Sequence, residues 1–269
     1  MRWEQRARLG QWIRQAWAEI VDLLYPPRCE VCGADSRQAL CEDCMAAIDP
    51  IVEPFCRRCN SPFAPWEGDP ILCRDCKRTR SQLIAVRSVG LHIGTLRKAV
   101  LSLKFNGALR LVEPLARLLM ETVFTEADRA DGIPVGEVDG IVPAVLHPKR
   151  RRWRGFDQAV ELARALSQMW GVPVIDALIR QRATVPQVWL NPQDRKLNIR
   201  GAFVARPGVD VNGLTLVVLD DVMTTGATLE ACAHALAAAG AARVYGLTIT
   251  RTAPTWHEAY KDLEAAAGM

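Results

Sequence analysis

Two groups of residues in this 269-residue chain have the types and spacing to do chemistry. Eight of its nine cysteines fall in four Cys-x-x-Cys pairs, "CEVC" (Cys29, Cys32), "CEDC" (Cys41, Cys44), "CRRC" (Cys56, Cys59) and "CRDC" (Cys73, Cys76). Far downstream, "VVLDDVMTTGATL" carries an apolar run into Asp220 and Asp221, then Thr224, Thr225, Gly226, Ala227 and Thr228.

A Cys-x-x-Cys turn sets two sulfurs on one side of a tight loop, and two such turns complete a tetrahedral zinc site with bonds of about 2.3 Å. Four thiolates leave no open coordination position, so the two expected Zn²⁺ ions are structural. Segments this poor in aliphatic residues fold around their metal. Sequential pairing (Cys29, Cys32, Cys41, Cys44, then Cys56, Cys59, Cys73, Cys76) closes the shortest loops. Interleaved pairing, as in a cross-braced finger, is the alternative. Disulfides are disfavoured, because the N-terminus carries charge throughout and lacks an apolar signal-peptide core. The expected location is the cytoplasm.

Two carboxylates at the end of an apolar strand are costly to desolvate unless something binds there. A strand, an acidic pair, a Thr/Gly loop and then a helix make an anion site from backbone N–H groups and hydroxyls. The loop suits a phosphate, and the adjacent carboxylates suit sugar hydroxyls or a metal. A single ligand with both features is a ribose 5-phosphate. The plain alternative is that the aspartates cap the next helix and the threonines form the turn. Neither a Walker A loop nor a G-x-G-x-x-G fingerprint occurs.

The elements around this motif alternate. From Ser81 onward, strands are predicted in "LIAVRSVGLH", "VDGIVPAVL", "VPVIDALI", "GAFVA", "LTLVVLDDV" and "ARVYGLTITR". Helices are predicted in "GTLRKAVLSLKF", "LVEPLARLLMETVF", "FDQAVELARALSQMW" and from Gly226 to Ala239. Such alternation implies an α/β fold with a parallel sheet covered on both faces and ligands at the strands' carboxyl ends. Leu9, Ile13, Trp17, Ile20 and Leu24 recur at helical spacing before "YPPRC". That N-terminal helix either docks on its own protein or serves a membrane surface or a partner. No apolar run is long enough to span a membrane.

Composition is that of an ordinary globular chain, 49% hydrophobic and 24% charged, with a formal net charge of +4. Two four-thiolate zinc sites would each add about −2 and cancel that surplus. Global charge is therefore no argument for a nucleic-acid partner. Local charge is another matter: "HPKRRRWRGF" places Lys149, Arg150, Arg151, Arg152 and Arg154 in one loop after a predicted strand.

"VVLDDVMTTGATL" resembles the phosphoribosyl-diphosphate (PRPP) motif of type I phosphoribosyltransferases. Together with the cysteine pairs, "LKFNG" (103–107), "PKRRRWRGFDQAVELA" (148–163) and "DRKLNIRGAF" (194–203), the chain resembles the ComF family from "YPPRC" to about Arg251. The family's pattern R-G-F-N-Q reads Arg154-Gly155-Phe156-Asp157-Gln158 here. The resemblance implies an N-terminal helix and double zinc ribbon over 1–80, then a phosphoribosyltransferase domain with a Rossmann-like parallel sheet over 81–269. It implies PRPP as ligand with Mg²⁺, Asp220 and Asp221 as the catalytic pair at the ribose hydroxyls, and residues 224–228 around the 5-phosphate. It also implies an association with competence and DNA-processing proteins.

On that footing Lys149, Arg152 and Arg154 are expected to grip the pyrophosphate, since arginine forks bind phosphate oxygens in pairs. A single-stranded DNA groove is the rival use of the same loop, because Trp153 and Phe156 could stack bases. The resemblance also places Lys104, Asn106 and Gly107, and Arg195, Asn198 and Arg200, near the ligand. Cys232 is expected in the core.

Overall fold

A computed structural model of the chain describes residues 26–68, 71–125, 132–182, 199 and 201–257. The expected N-terminal helix lies outside the described residues, as do Arg195, Asn198 and Arg200.

Two small cysteine-bearing lobes come first. The second cysteine pair of each opens a single-turn helix, α1 (Glu42–Ala46) behind Cys41 and α2 (Arg74–Arg78) behind Cys73. Strand β1 (Leu83–Leu91) begins the α/β unit, followed by helix α3 (Gly94–Leu101). The expected helix through Phe105 does not continue regularly. Residues Ser102–Asn106 widen into a π-helical turn that ends at Gly107 in the left-handed conformation. Helix α4 (Val112–Thr125), strand β2 (Gly140–Pro143), helix α5 (Pro148–Arg154) and helix α6 (Gln158–Trp170) follow.

The basic segment is thus a helix rather than the expected loop. Pro148 stands at its first turn, where its missing N–H costs nothing. The His147 ring caps it by accepting from Lys149 N, and Gly155 at φ +84° stops it. Arginine and lysine are themselves good helix formers.

The central sheet is all parallel, in the order β1-β6-β5-β2, with β5 (Thr215–Met223) and β6 (Arg243–Arg251) in the middle. "VPVIDALI" is not a further strand of it. Val174 makes a lone parallel bridge to Ile141, and only β3 (Leu178–Arg180) is extended, pairing antiparallel with β4 (Phe203–Ala205) outside the main sheet. The apolar residues of that segment fill the core without joining the ladder: Ala177 and Leu178 are buried.

Both faces of the sheet are covered, and β5 shows how. Val217 and Leu219 belong to the core under α4 and α6, while Leu216 and Val218 belong to the core under helix α7 (Ala227–Ala238). Successive strand residues face opposite ways. Cys232, wholly buried in α7, is part of that second core, as a small apolar residue would be.

The cysteine lobes dock on this unit. Cys29, Leu40, Cys41 and Cys44 share the α4/α6 core, and Arg110 donates to the carbonyls of Arg28 and Arg37. The second lobe covers the free edge of β1. Val86 N donates to Arg58 O at 2.7 Å, Ser88 N to Asn60 Oδ1 at 2.9 Å, and Ile51 N to Val89 O at 3.1 Å. An exposed sheet edge is thereby paired off.

Candidate functional site

The cysteine sulfurs gather in sequential sets, Cys29/Cys32/Cys41/Cys44 and Cys56/Cys59/Cys73/Cys76, each within 4.8 Å of one another. Individual separations are 3.7 Å (Cys29–Cys44), 3.6 Å (Cys32–Cys41) and 3.9 Å (Cys59–Cys73). Four sulfurs at 2.3 Å from one tetrahedral ion stand about 3.8 Å apart, so the sets fit zinc. Backbone N–H groups of Cys41 and Cys73 point at the sulfurs of Cys29 and Cys56. The Cys56 thiol is held far below its usual range by hydrogen bonds with Cys59, Cys73 and Cys76, while Cys76 is pushed up by Cys56, Cys59 and Cys73. Four sulfurs this close cannot all be anionic without a cation among them.

The acidic pair lies within β5 rather than after it, because the strand runs on to Met223, with Asp220 opposite Thr248 of β6. The two side chains therefore turn to opposite faces. Asp221, only 3% exposed, faces the α6 side. Its Oδ1 lies 2.7 Å from Lys104 Nζ, and its Oδ2 accepts from Gln158 Nε2 at 2.8 Å. Gln158 Oε1 in turn accepts from Arg154 Nη1 at 2.5 Å, and the Arg154 guanidinium stands 5.6 Å over the Phe105 ring. Phe105 is the neighbour of Lys104, so the contacts close into a ring. The π-helical turn is what presents Lys104 inward and leaves Phe105 62% exposed.

Asp220 is half-buried and feels the other face. Burial and the adjacent Asp221 push its carboxyl up to about 7, against the pull of Lys104 and Arg180. Arg180, at the end of β3, is buried with its guanidinium 5.2 Å over the Phe203 ring. His92 completes the surroundings. Its Nδ1 is 2.9 Å from Thr250 Oγ1, and burial together with Lys104 and Arg97 holds the imidazole down to about 4, neutral at physiological pH.

After Met223 the chain turns through Thr224 and Thr225 to Gly226, which caps α7 at φ +77°. A Cβ there would meet only the flexible end of Met223, Cε at 2.9 Å, so it is the left-handed conformation that requires glycine. Thr225 Oγ1 is buried and has no hydrogen-bond partner, and neither has Arg154 Nε. Native proteins rarely leave such groups unmatched, except where something else is to bind.

Residues 20–77 match the double zinc ribbon domain family, and residues 154–262 the phosphoribosyl transferase domain family. "DNA utilization protein YhgH" of Salmonella typhi is 34% identical over 86% of this chain and 99% of its own length. The chain belongs to the ComF family. "Competence protein F" of Haemophilus influenzae is 28% identical over 76% of this chain and 87% of its own. "Competence protein ComFC" of Bacillus subtilis is 24% identical over 80% of this chain and 85% of its own.

Within this ComF chain the sequence-predicted residues are not all assembled alike. Asp220, Asp221, Arg154 and the loop 224–228 cluster at the carboxyl end of β5, with Lys104 joined to them. Lys149 and Arg152 are exposed on α5 and pair with no acidic group among the described residues. Phe156 is partly buried against the core rather than offered for stacking, whereas Trp153 is 76% exposed. Asp157, where the family has asparagine, is buried. Its Oδ2 accepts from Leu146 N at 2.7 Å and its Oδ1 caps α6 at Ala159 N, 3.2 Å away. Gln158 and Arg180 were not singled out by sequence. Gln158 stands beside the basic motif, but its partner is sixty-three residues away. Arg180 closes an apolar run and reads as a surface residue.

Proposed function

We propose that this ComF protein binds PRPP in the cytoplasm and transfers its phosphoribosyl group to an acceptor nucleophile. The bond from the anomeric carbon to pyrophosphate breaks, a bond to the acceptor forms, and pyrophosphate leaves with the electron pair. The observation that carries this reading is the buried, unpartnered Thr225 hydroxyl beside Gly226, in a loop that follows two carboxylates on one strand.

In this reading the loop 224–228 cradles the 5-phosphate with backbone N–H groups and hydroxyls. The acidic pair lies at the ribose end of the ligand. Arg154, with an unmatched Nε, meets the pyrophosphate, and Lys149 and Arg152 extend the same positive surface. Among the described residues no third carboxylate joins Asp220 and Asp221. Asp220 would be the residue to hold a Mg²⁺ carried in on the diphosphate, and that ion would supply charge neutralisation for the departing pyrophosphate. The protein's share is positioning and charge stabilisation. Thr225→Val should weaken PRPP binding by about tenfold or more, as expected for one lost charge-assisted hydrogen bond, with zinc content unchanged. Unaltered affinity in that variant would remove the loop from the site.

The names of the relatives add a setting, DNA utilization and competence, and Trp153 favours a second use of the same surface. It is an exposed indole on a helix with five cationic side chains. Stacking and phosphate contact on α5 would hold single-stranded DNA without turnover. That reading predicts binding that falls steeply with salt and weakens in Trp153→Ala. Salt-insensitive binding, or none, would confine α5 to the PRPP site.

A further inference from the structure

The two acidic residues of the motif are not equivalent. They sit on consecutive positions of a continuous strand, face opposite sides of the sheet, and have different neighbours. Asp221 is buried, with one oxygen on Lys104 Nζ at 2.7 Å and the other on Gln158 Nε2 at 2.8 Å. Through Gln158 the same carboxylate also fixes Arg154, whose Nη1 is 2.5 Å from Gln158 Oε1. One buried anion thus holds two cations, and a contact between Arg154 and the Phe105 ring closes the circuit. Removing either charge of a buried pair leaves the other unpaired, so the arrangement is a fixture rather than a clasp that opens for each ligand. Lys104 has three donor hydrogens and Asp221 takes one of them, while Arg154 keeps an Nε that the protein leaves unmatched.

On the reading that the site binds PRPP, we infer that Asp221 is a positioning residue, holding Lys104 and Arg154 for the pyrophosphate, while Asp220 alone serves the ribose. Lys104 then joins the ligand contacts as the cation that distinguishes PRPP from ribose 5-phosphate. The ring built by Lys104, Asp221, Gln158 and Arg154 is a reader of the diphosphate.

Equilibrium titrations with PRPP and with ribose 5-phosphate, at fixed Mg²⁺, test this on the full-length, zinc-loaded protein. Wild type should prefer PRPP. Lys104→Met and Asp221→Asn should each reduce that preference by about tenfold or more, with ribose 5-phosphate affinity held within about twofold. Lys104→Arg should recover part of the preference. The double variant, which leaves neither charge buried alone, should be no worse than either single one, and its unfolding midpoint shows whether a loss is structural. Asp220→Asn should weaken both ligands together. The inference is overturned if Asp221→Asn weakens both ligands as Asp220→Asn does, or if Lys104→Met leaves the preference intact. Wild-type protein that binds neither ligand overturns the PRPP reading, and this inference with it.

Discussion

Lys104 Nζ and Asp221 Oδ1 lie 2.7 Å apart, joining the π-helical turn after α3 to the middle strand of the sheet. With 19% and 5% of their side chains exposed, the two charges are largely out of water. Losing one partner strands the other. Lys104→Met should therefore destabilise the fold by about 3 kcal/mol or more, and the double variant with Asp221→Asn by less, as read by denaturant unfolding. A single variant no less stable than wild type would mean the pair is solvated.

Asp157 makes a separate prediction at the departure from the family pattern. Its two oxygens accept two backbone N–H groups, from Leu146 at the end of the β2 segment and from Ala159 in the first turn of α6. Asparagine has one oxygen and would turn an amide donor toward the second N–H. Stability should fall in the order wild type, Asp157→Asn, Asp157→Ala, with steps of about 1–2 kcal/mol each. Thermal or chemical unfolding of the three proteins checks the order.

The carboxyl of Asp220 gives a pH dependence. Its folded-state value, about 7, lies above the ordinary 3.8 of an unfolded chain. A raised value means that this group's contribution to stability is complete below about pH 4 and is lost as pH rises through 7. Ribose hydroxyls donate to the ionised form, so affinity for ribose 5-phosphate should instead increase between about pH 6 and 8. Asp220→Asn should flatten both profiles; a profile that persists in the variant belongs to another group.

Zinc should report on the sheet edge. Arg251 Nη1 donates to Cys59 O, and the fully buried Arg87 donates to Arg57 O at 2.9 Å, so the second cysteine lobe is tied to β1 and β6. Cys73→Ser should lower bound zinc from two ions to one and expose β1 amides such as Val86 and Ser88 to faster hydrogen exchange. Unchanged protection would mean that the lobe holds its place without metal.

Much of this was legible in the sequence, because local spacing carried it. The Cys-x-x-Cys turns, and the strand–Asp-Asp–Thr/Gly–helix segment, need only their own neighbours to take shape. What escaped depends on distant register. No pattern at residues 103–107 reveals that a π-helical turn will carry Lys104 onto Asp221, since that outcome depends on how α3 seats against the sheet. Gln158 looks like one more first-turn residue until β5 arrives beside it. The basic segment misled in another way. Its charges suggested a loop gripping the ligand, yet Pro148, the His147 cap and Gly155 are helix signals at its two ends. "VPVIDALI" has the composition of a strand, yet its first half flanks β2 through one bridge, Val174 to Ile141, and its end pairs with β4 outside the main sheet.

PRPP binding is tested most directly by a calorimetric titration of the zinc-loaded protein with PRPP and Mg²⁺, beside one with ribose 5-phosphate. Mg²⁺-dependent PRPP binding should be at least about tenfold tighter than that of ribose 5-phosphate, a gap of about 1.4 kcal/mol or more. Equal affinities would contradict recognition of the diphosphate, leaving the pyrophosphate unread and the basic helix without its proposed ligand.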